Sequence, residues 1–206
     1  MVRRDEGRIV GHVRLAPRRG GAPLVGVYAS RSVTLPVAPR PADPADVIVY
    51  LSDPPKTPVA PMRAAVRQHD EAFVPHVTAV TPGSLVSFPN EDPYYHNVFS
   101  LSRTATFDLG RFPQGETRTR AFARPGLVKV YCHIHSNMSA IVMVLEHSYF
   151  TRADEGGGFV LDAVPAGSWT VSAWHERIGE TSRRIDVPPR GTTTADFVLP
   201  VLDPLP

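Results

Sequence analysis

Residues 131–138 read Tyr131-Cys132-His133-Ile134-His135-Ser136-Asn137-Met138, which puts a thiol, two imidazoles and a thioether within seven positions. Cys132 is the single cysteine of the chain, so no internal disulfide can form. Taken alone, a lone cysteine reads as a small buried hydrophobe. Its neighbours point elsewhere. Soft sulfur donors combined with imidazole select copper among the first-row metals, and two His, one Cys and a distant Met form the blue-copper set. With Cys132, His135 and Met138 as ligands, one imidazole is still wanting. His96, in Tyr94-Tyr-His-Asn-Val-Phe99, supplies it at the start of an expected strand.

Working outward, the stretch from Met62 to Glu146 divides into short β candidates: 62–68, 76–80, 85–88, 97–101, 118–122, 127–132 and 140–145. Turn signals separate them at Thr81-Pro-Gly83, Asn90-Glu-Asp-Pro93 and Arg124-Pro-Gly126. Seven such strands suit a β-sandwich or barrel. The expected site has Cys132, His135 and Met138 on one tight turn between two strands, with His96 delivered from a neighbouring sheet. Cu(I) and Cu(II) prefer different geometries, and a rigid turn of this kind keeps reorganisation small. His135 stands at the solvent edge of the expected site.

Before this stretch, Arg8-Ile-Val-Gly-His-Val-Arg-Leu15 alternates apolar and polar residues as a half-buried strand does. Residues 17–46, rich in Pro, Arg, Gly and Ala, read as a long excursion with one short strand at 25–29, and residues 46–51 resume as a strand. After His147 come a turn at 151–158, a strand at 159–161, a turn at 164–167 and strands at 168–174, 182–187 and 193–199. The 22 Pro and 15 Gly break the chain into short apolar runs rich in Val, Thr, Phe and Tyr, so the expectation is all-β.

The 131–138 block resembles the cupredoxins, and the spacing Cys132-x2-His135-x2-Met138 equals the short ligand loop of amicyanins. Plastocyanin and pseudoazurin loops are longer before the Met. His96-Asn97-Val98 is similar to the first-ligand segment of that family, which implies that Asn97 hydrogen-bonds near the thiolate and supports the ligand set. A Cys-His-x-His string is also found in multicopper oxidases, but Tyr131 stands where those carry a further His, and no second His-x-His pair occurs, so an oxidase is rejected. A binuclear copper site of the cytochrome oxidase kind needs two cysteines. His96 alone reads as a surface residue and Met138 alone as core packing; their joint spacing carries the metal expectation. His76 and His175 read as structural or surface residues, and whether either approaches the site is left open. Trp169 and Trp174 read as core anchors.

The phrase from Phe159 to Val171, with Pro165, Gly167 and Trp169, resembles the carboxypeptidase-regulatory-like (transthyretin-like) β-sandwich. The opening strand pair of that family is missing just before Ser148 and present at the N-terminus as Gly7-Arg-Ile-Val-Gly-His-Val-Arg14 and Asp46–Leu51. The expected architecture is therefore a cupredoxin Greek-key β-sandwich, residues 54–147, inserted into a discontinuous sandwich of residues 1–53 and 148–206; insertion at an exposed loop is tolerated because domain ends lie close together. As a whole the chain looks like bacterial proteins of the methylamine-utilisation or plastocyanin-like kind.

These resemblances imply a type 1 copper protein holding one mononuclear copper and passing single electrons between redox partners, a dehydrogenase or a cytochrome. A copper-binding module for storage or delivery without redox cycling is the alternative, and a scaffold with a vestigial site a third. No nucleophile stands with a base, so the chain is not expected to be an enzyme. With 22 basic and 20 acidic residues, a net charge of +2 gives no footprint for nucleic acid. The longest apolar run, 140–145, is too short to span a bilayer. Residues 1–8 are charged and lack the apolar segment of a secretory signal. The expected location is periplasmic or secreted, with a removed signal peptide, and a cytoplasmic one stays open.

Overall fold

The structure, a computed structural model, describes residues 5–17 and 42–201. The strand expected at 25–29 lies outside the described residues. The architecture is all-β, with a single short 3-10 turn, Pro44–Asp46, among the described residues. Asp46, expected to open a strand, closes this turn instead, because the Asp43 carboxylate caps it by accepting the Ala45 N–H at 2.9 Å.

In chain order the first strands are β1 (Glu6–Pro17) and β2 (Ile48–Leu51). Ten follow: β3 (Arg63–Ala65), β4 (Arg67–His69), β5 (Ala72–Val74), β6 (Val77–Val80), β7 (Ser84–Pro89), β8 (His96–Ser102), β9 (Ala105–Phe112), β10 (Thr117–Phe122), β11 (Gly126–Tyr131) and β12 (Ser139–Val144). The last six are β13 (Phe150–Arg152), β14 (Gly158–Pro165), β15 (Gly167–His175), β16 (Gly179–Val187), β17 (Thr192–Thr194) and β18 (Phe197–Val201).

The ten middle strands form a five-stranded sheet ordered β6-β12-β11-β8-β9, a three-stranded sheet β10-β7-β3 and the β4-β5 hairpin. The outer strands pair with one another across the whole length of the chain. β1 lies beside β14, β17 and β18, and β2 lies between β13 and β15, which in turn pairs with β16.

Two strands expected to be continuous are broken. Residues 62–68 divide at Val66, where the chain leaves its parallel pairing with β7 and turns to pair β4 with β5. Residues 193–199 divide at Ala195 and Asp196 because Asp196 Oδ1 accepts the His12 N–H at 2.9 Å in place of a ladder bond. Gly11 makes this crossing possible: a Cβ there would stand 2.0 Å from the Ala195 carbonyl oxygen. β5, β9 and β13 had no counterpart in the sequence expectations.

Each group of strands closes over its own apolar cluster. One holds Val66, Phe88, Val98, Phe112, Phe122, Val128, Val130 and Val142. The other holds Ile9, Val13, Leu51, Leu161, Val171, Phe197 and Leu199. Burying each such side chain contributes about 1.5–3 kcal/mol. β12 serves both sides of its sheet, which explains why the run Ala140–Val144 is apolar without alternation. Ala140, Val142 and Val144 face the middle cluster, while Ile141 and Met143 pack with Ile48 and Val77 in a third cluster that joins the outer strands.

Candidate metal centre

The hairpin of β11 and β12 ends at the pair Tyr131 and Ser139, leaving residues 132–138 as the connecting turn. Alternation in β11 sends Val128 and Val130 into the same cluster as Ala140 and Val142 of β12, and this pins the register of the hairpin. The turn is closed from within: the Cys132 N–H donates to the Met138 carbonyl at 3.3 Å, and the Met138 N–H donates to the His135 carbonyl at 3.1 Å. Cys132 and Met138 point inward, 5% and 1% exposed, while His135 is half-buried and Ser136 and Asn137 lie outside.

His96 is the first residue of β8 and is fully buried. Its delivery differs from the expectation. β8 pairs with β11 through Phe99 and Tyr131 in the same five-stranded sheet, so the imidazole comes from the adjacent strand and not from a neighbouring sheet.

Three of the four expected ligands converge. His96 Nδ1 lies 3.0 Å from His135 Nδ1 and 4.0 Å from Cys132 Sγ, and His135 Nδ1 lies 3.9 Å from Cys132 Sγ. A triangle with these sides has an interior point about 2.1 Å from every corner, which falls within the roughly 2.0–2.3 Å that imidazole nitrogen and thiolate sulfur take to a first-row metal such as zinc. The donors present therefore fit a trigonal His2Cys ion, the arrangement that copper takes with a weak axial thioether. Met138 sits on the same turn, buried in the cluster that holds Cys132.

The surroundings orient these donors. His96 Nε2 lies 2.8 Å from Asp92 Oδ2, deep in the protein. Burial pushes the Asp92 carboxyl up, but hydrogen bonds from the Glu71 N–H, His96 and the Asp70 N–H outweigh it and hold the group below the usual carboxylate range. The sulfur of Cys132 receives two backbone donors, Asn97 N–H at 3.5 Å and Ile134 N–H at 3.4 Å. Asn97, expected near the thiolate, is buried there, and its side chain ties two segments together: Oδ1 accepts the His133 N–H at 3.3 Å, and Nδ2 donates to Asp108 Oδ1 at 2.7 Å.

Sequence reasoning missed Asp92, Asp108 and the seat of His133. Asp108 stands in β9 beside a bulge opposite Asn97 and Phe99, where its Oδ1 also accepts the Gly110 N–H at 2.8 Å. That N–H, followed by Asn97, holds the Asp108 carboxyl below its ordinary range. The sequence Asp108-Leu-Gly110 is the signal that was available, since a Gly at positive φ marks a bulge. The ring of His133 stays out of the triangle and stacks on Phe99 at 3.6 Å, with 3° between the planes.

His76 and His175 do not join the site. His76 bridges two regions: Nδ1 lies 2.8 Å from the Ser139 carbonyl, which accepts its hydrogen bond, and Nε2 lies 2.8 Å from Glu176 Oε2. Burial pushes the His76 imidazole down, and Glu176, Asp46 and the Ser139 carbonyl more than reverse this, leaving it above its ordinary value. His175, at the end of β15, accepts the Arg177 N–H on Nδ1 at 3.1 Å. No helix among the described residues is long and apolar enough to cross a membrane.

No family model matches the chain, and no curated protein matches it. Among solved structures it is similar to a purple cupredoxin from Nitrosopumilus maritimus, at 20% identity and a TM-score of 0.36, over 40% of this chain and 99% of that one. It is also similar to an amicyanin variant in the Cu(I) form, at 16% identity and a TM-score of 0.38, over 47% of this chain and 98% of that one. A copper-containing nitrite reductase from Thermus scotoductus shares 25% identity at a TM-score of 0.40 over 54% of this chain, but only 28% of that protein is covered. These likenesses are partial, and the chemistry of the site rests on its own donor atoms.

Proposed function

We propose that this chain is a type 1 copper protein that passes single electrons between redox partners. The observation that carries this is the triangle of His96 Nδ1 from β8 with His135 Nδ1 and Cys132 Sγ from the 132–138 turn, with sides of 3.0, 3.9 and 4.0 Å, the turn also carrying the buried Met138. Bound by His96, Cys132, His135 and Met138, a single copper ion supplies a one-electron couple. The protein contributes the constraint: a hairpin turn closed by two backbone hydrogen bonds, and a sulfur held by two N–H donors. Both oxidation states then meet nearly the same donors.

Access to a partner is favoured on the side of His135, where Ile134 and the neighbouring Tyr94 and Tyr95 are exposed. A dehydrogenase or a cytochrome is the partner class. The periplasmic or secreted placement belongs to the same proposal and rests on the resemblance of residues 131–138. The unit carrying the site is read as inserted between the two ends of the chain; what supports this is that β1 and β2 pair only with strands from β13 onward among the described residues.

Adding Cu(II) to the purified protein tests the proposal. The expected result is an intense visible absorption from thiolate-to-copper charge transfer, with one reversible one-electron couple and fast exchange with a redox partner. A protein that stays colourless overturns the copper assignment. A protein that colours, exchanges electrons slowly and hands Cu(I) to an acceptor is a storage or delivery module instead.

A further inference from the structure

The β4-β5 hairpin lies outside the triangle, yet one carboxylate links the two. His69 pairs with Ala72, so Asp70 and Glu71 form a two-residue loop, and both hold positive φ, 51° and 54°. Two-residue loops of this kind favour Asn-Gly or Asp-Gly, because left-handed backbone costs a side-chain-bearing residue about 1–2 kcal/mol. Here Asp92 supplies the compensation. Its Oδ1 accepts the Asp70 N–H at 2.7 Å, and its Oδ2 accepts the Glu71 N–H at 2.9 Å. The same Oδ2 lies 2.8 Å from His96 Nε2. Asp92 is itself fixed, because its own N–H donates to Asn90 Oδ1 at 3.0 Å, and Asn90 Nδ2 donates to the Tyr94 and Phe112 carbonyls.

Both Asp92 oxygens already act as acceptors, Oδ1 for the Asp70 N–H and Oδ2 for the Glu71 N–H, so Oδ2 meets His96 Nε2 as an acceptor and the hydrogen between them sits on Nε2. Nδ1 is then the ring nitrogen turned toward Cys132 and His135, 4.0 Å from Sγ and 3.0 Å from His135 Nδ1. We infer that Asp92 is a positioning residue, which locks the tautomer and ring orientation of His96 so that Nδ1 is the metal-binding atom before any metal arrives. The β4-β5 loop is its anchor: the two N–H groups of Asp70 and Glu71 hold the carboxylate so that it cannot swing away from the imidazole. This rests on the copper proposal for the identity of the ion, although the tautomer itself is a property of the metal-free chain.

The substitution Asp92→Asn tests it. Its amide oxygen can still accept from the loop, but its NH2 group would face His96 Nε2 and donate, driving the hydrogen onto Nδ1. In wild-type metal-free protein, nitrogen NMR of labelled histidines is expected to show His96 protonated on Nε2 and bare on Nδ1. In Asp92→Asn the pattern should invert, and Cu(I) affinity should fall by about 10- to 100-fold, as for other partners of ligating imidazoles. Should Asp92→Asn fold poorly, the same change is made together with Asp70→Asn and Glu71→Gly, which give the loop residues that tolerate positive φ and free its stability from Asp92. An unchanged tautomer, or an unchanged Cu(I) affinity with the tautomer inverted, overturns the inference. Wild-type protein that shows the expected tautomer but never colours with Cu(II) sinks the copper proposal and leaves the tautomer assignment standing.

Discussion

The two large apolar clusters share Val, Phe and Ala, but the outer one adds Ile, Leu and Tyr where the middle one adds Cys132 and Met138, and they differ in what they bury beside them. The outer cluster, from Ile9 to Leu199, is closed by Val, Leu, Ile, Phe, Ala and Tyr side chains. The middle cluster opens at one end onto buried polar groups: Asn90, Asp92, His96 and Asn97 are each 3% exposed or less. Burying such groups costs several kcal/mol unless every donor and acceptor finds a partner. Around Asn90, Asp92, His96 and Asn97 the partners are found, and they are arranged so that two imidazole nitrogens and the Cys132 sulfur face one another. The outer strands bury polar groups too, Ser172 and His175 among them, but among the described residues they bring no such group of donor atoms together.

The sharpest way to break this contrast is Cys132→Ser. It should abolish the thiolate-to-copper absorption in a Cu(II) titration completely, while lowering the stability of the metal-free chain by only about 1 kcal/mol for a buried hydroxyl. Colour surviving in the variant would mean that the ion is held elsewhere. Phe197→Ala should do the reverse. Its ring is 1% exposed in the outer cluster, and deleting it should cost about 3–5 kcal/mol in urea unfolding. The folded fraction should keep an unchanged copper spectrum. A shifted spectrum would show that the outer cluster shapes the site after all.

The seam between the clusters gives an intermediate effect. Met143 packs with Ile48, Val77 and Ile141, and Met143→Ala should cost about 2–3 kcal/mol. At roughly 2–4 °C per kcal/mol for a chain of this size, differential scanning calorimetry will resolve it. If the midpoint does not move, β12 is not shared by the two sides as its burial on both faces implies.

The turn that carries Cys132, His135 and Met138 was legible in the sequence because all its information is local: the three residues sit on one loop, and strand ends fall where Pro, Gly and Asn interrupt apolar runs. His96 was legible through its neighbours Asn97 and Val98, although not its sheet, since which strands pair is decided by contacts distant in sequence. Asp92 and Asp108 escaped because an Asp in a loop or beside a Gly reads first as a turn former. β5 escaped because its loop, Asp70-Glu71, lacks the Gly or Asn that signals a hairpin and borrows its stability from Asp92. β9 was passed over although Ala105, Phe107 and Leu109 alternate with polar residues toward the middle cluster; the bulge breaks that alternation only beyond Asp108, before Phe112. β1 pairs with β14, β17 and β18, and β2 with β13 and β15; these registers are set between residues far apart in the chain, and the split of the last strand turns on one side chain, Asp196, reaching His12.

The smallest effect sits where His76 joins the two regions. Glu176 is held below its ordinary value of 4.5, first by the hydrogen bond from His76, with burial opposing, and its share of stability is present above that pH and lost as pH falls through its depressed value. His76 is raised above 6.5 against the effect of its burial, so its share is complete below 6.5 and lost as pH rises through the raised value. The pair therefore stabilises most between 4.5 and 6.5. Both side chains are largely shielded, 16% and 25% exposed, which keeps the interaction near 1 kcal/mol rather than the smaller worth of a surface pair. Urea unfolding at about pH 5.5 should then exceed that at about pH 8.5 by about 1 kcal/mol more in wild type than in Glu176→Gln. Equal pH dependence in the two proteins would show that the bridge adds nothing to the seam, leaving the apolar contacts of Met143, Ile141, Val77 and Ile48 to hold it alone.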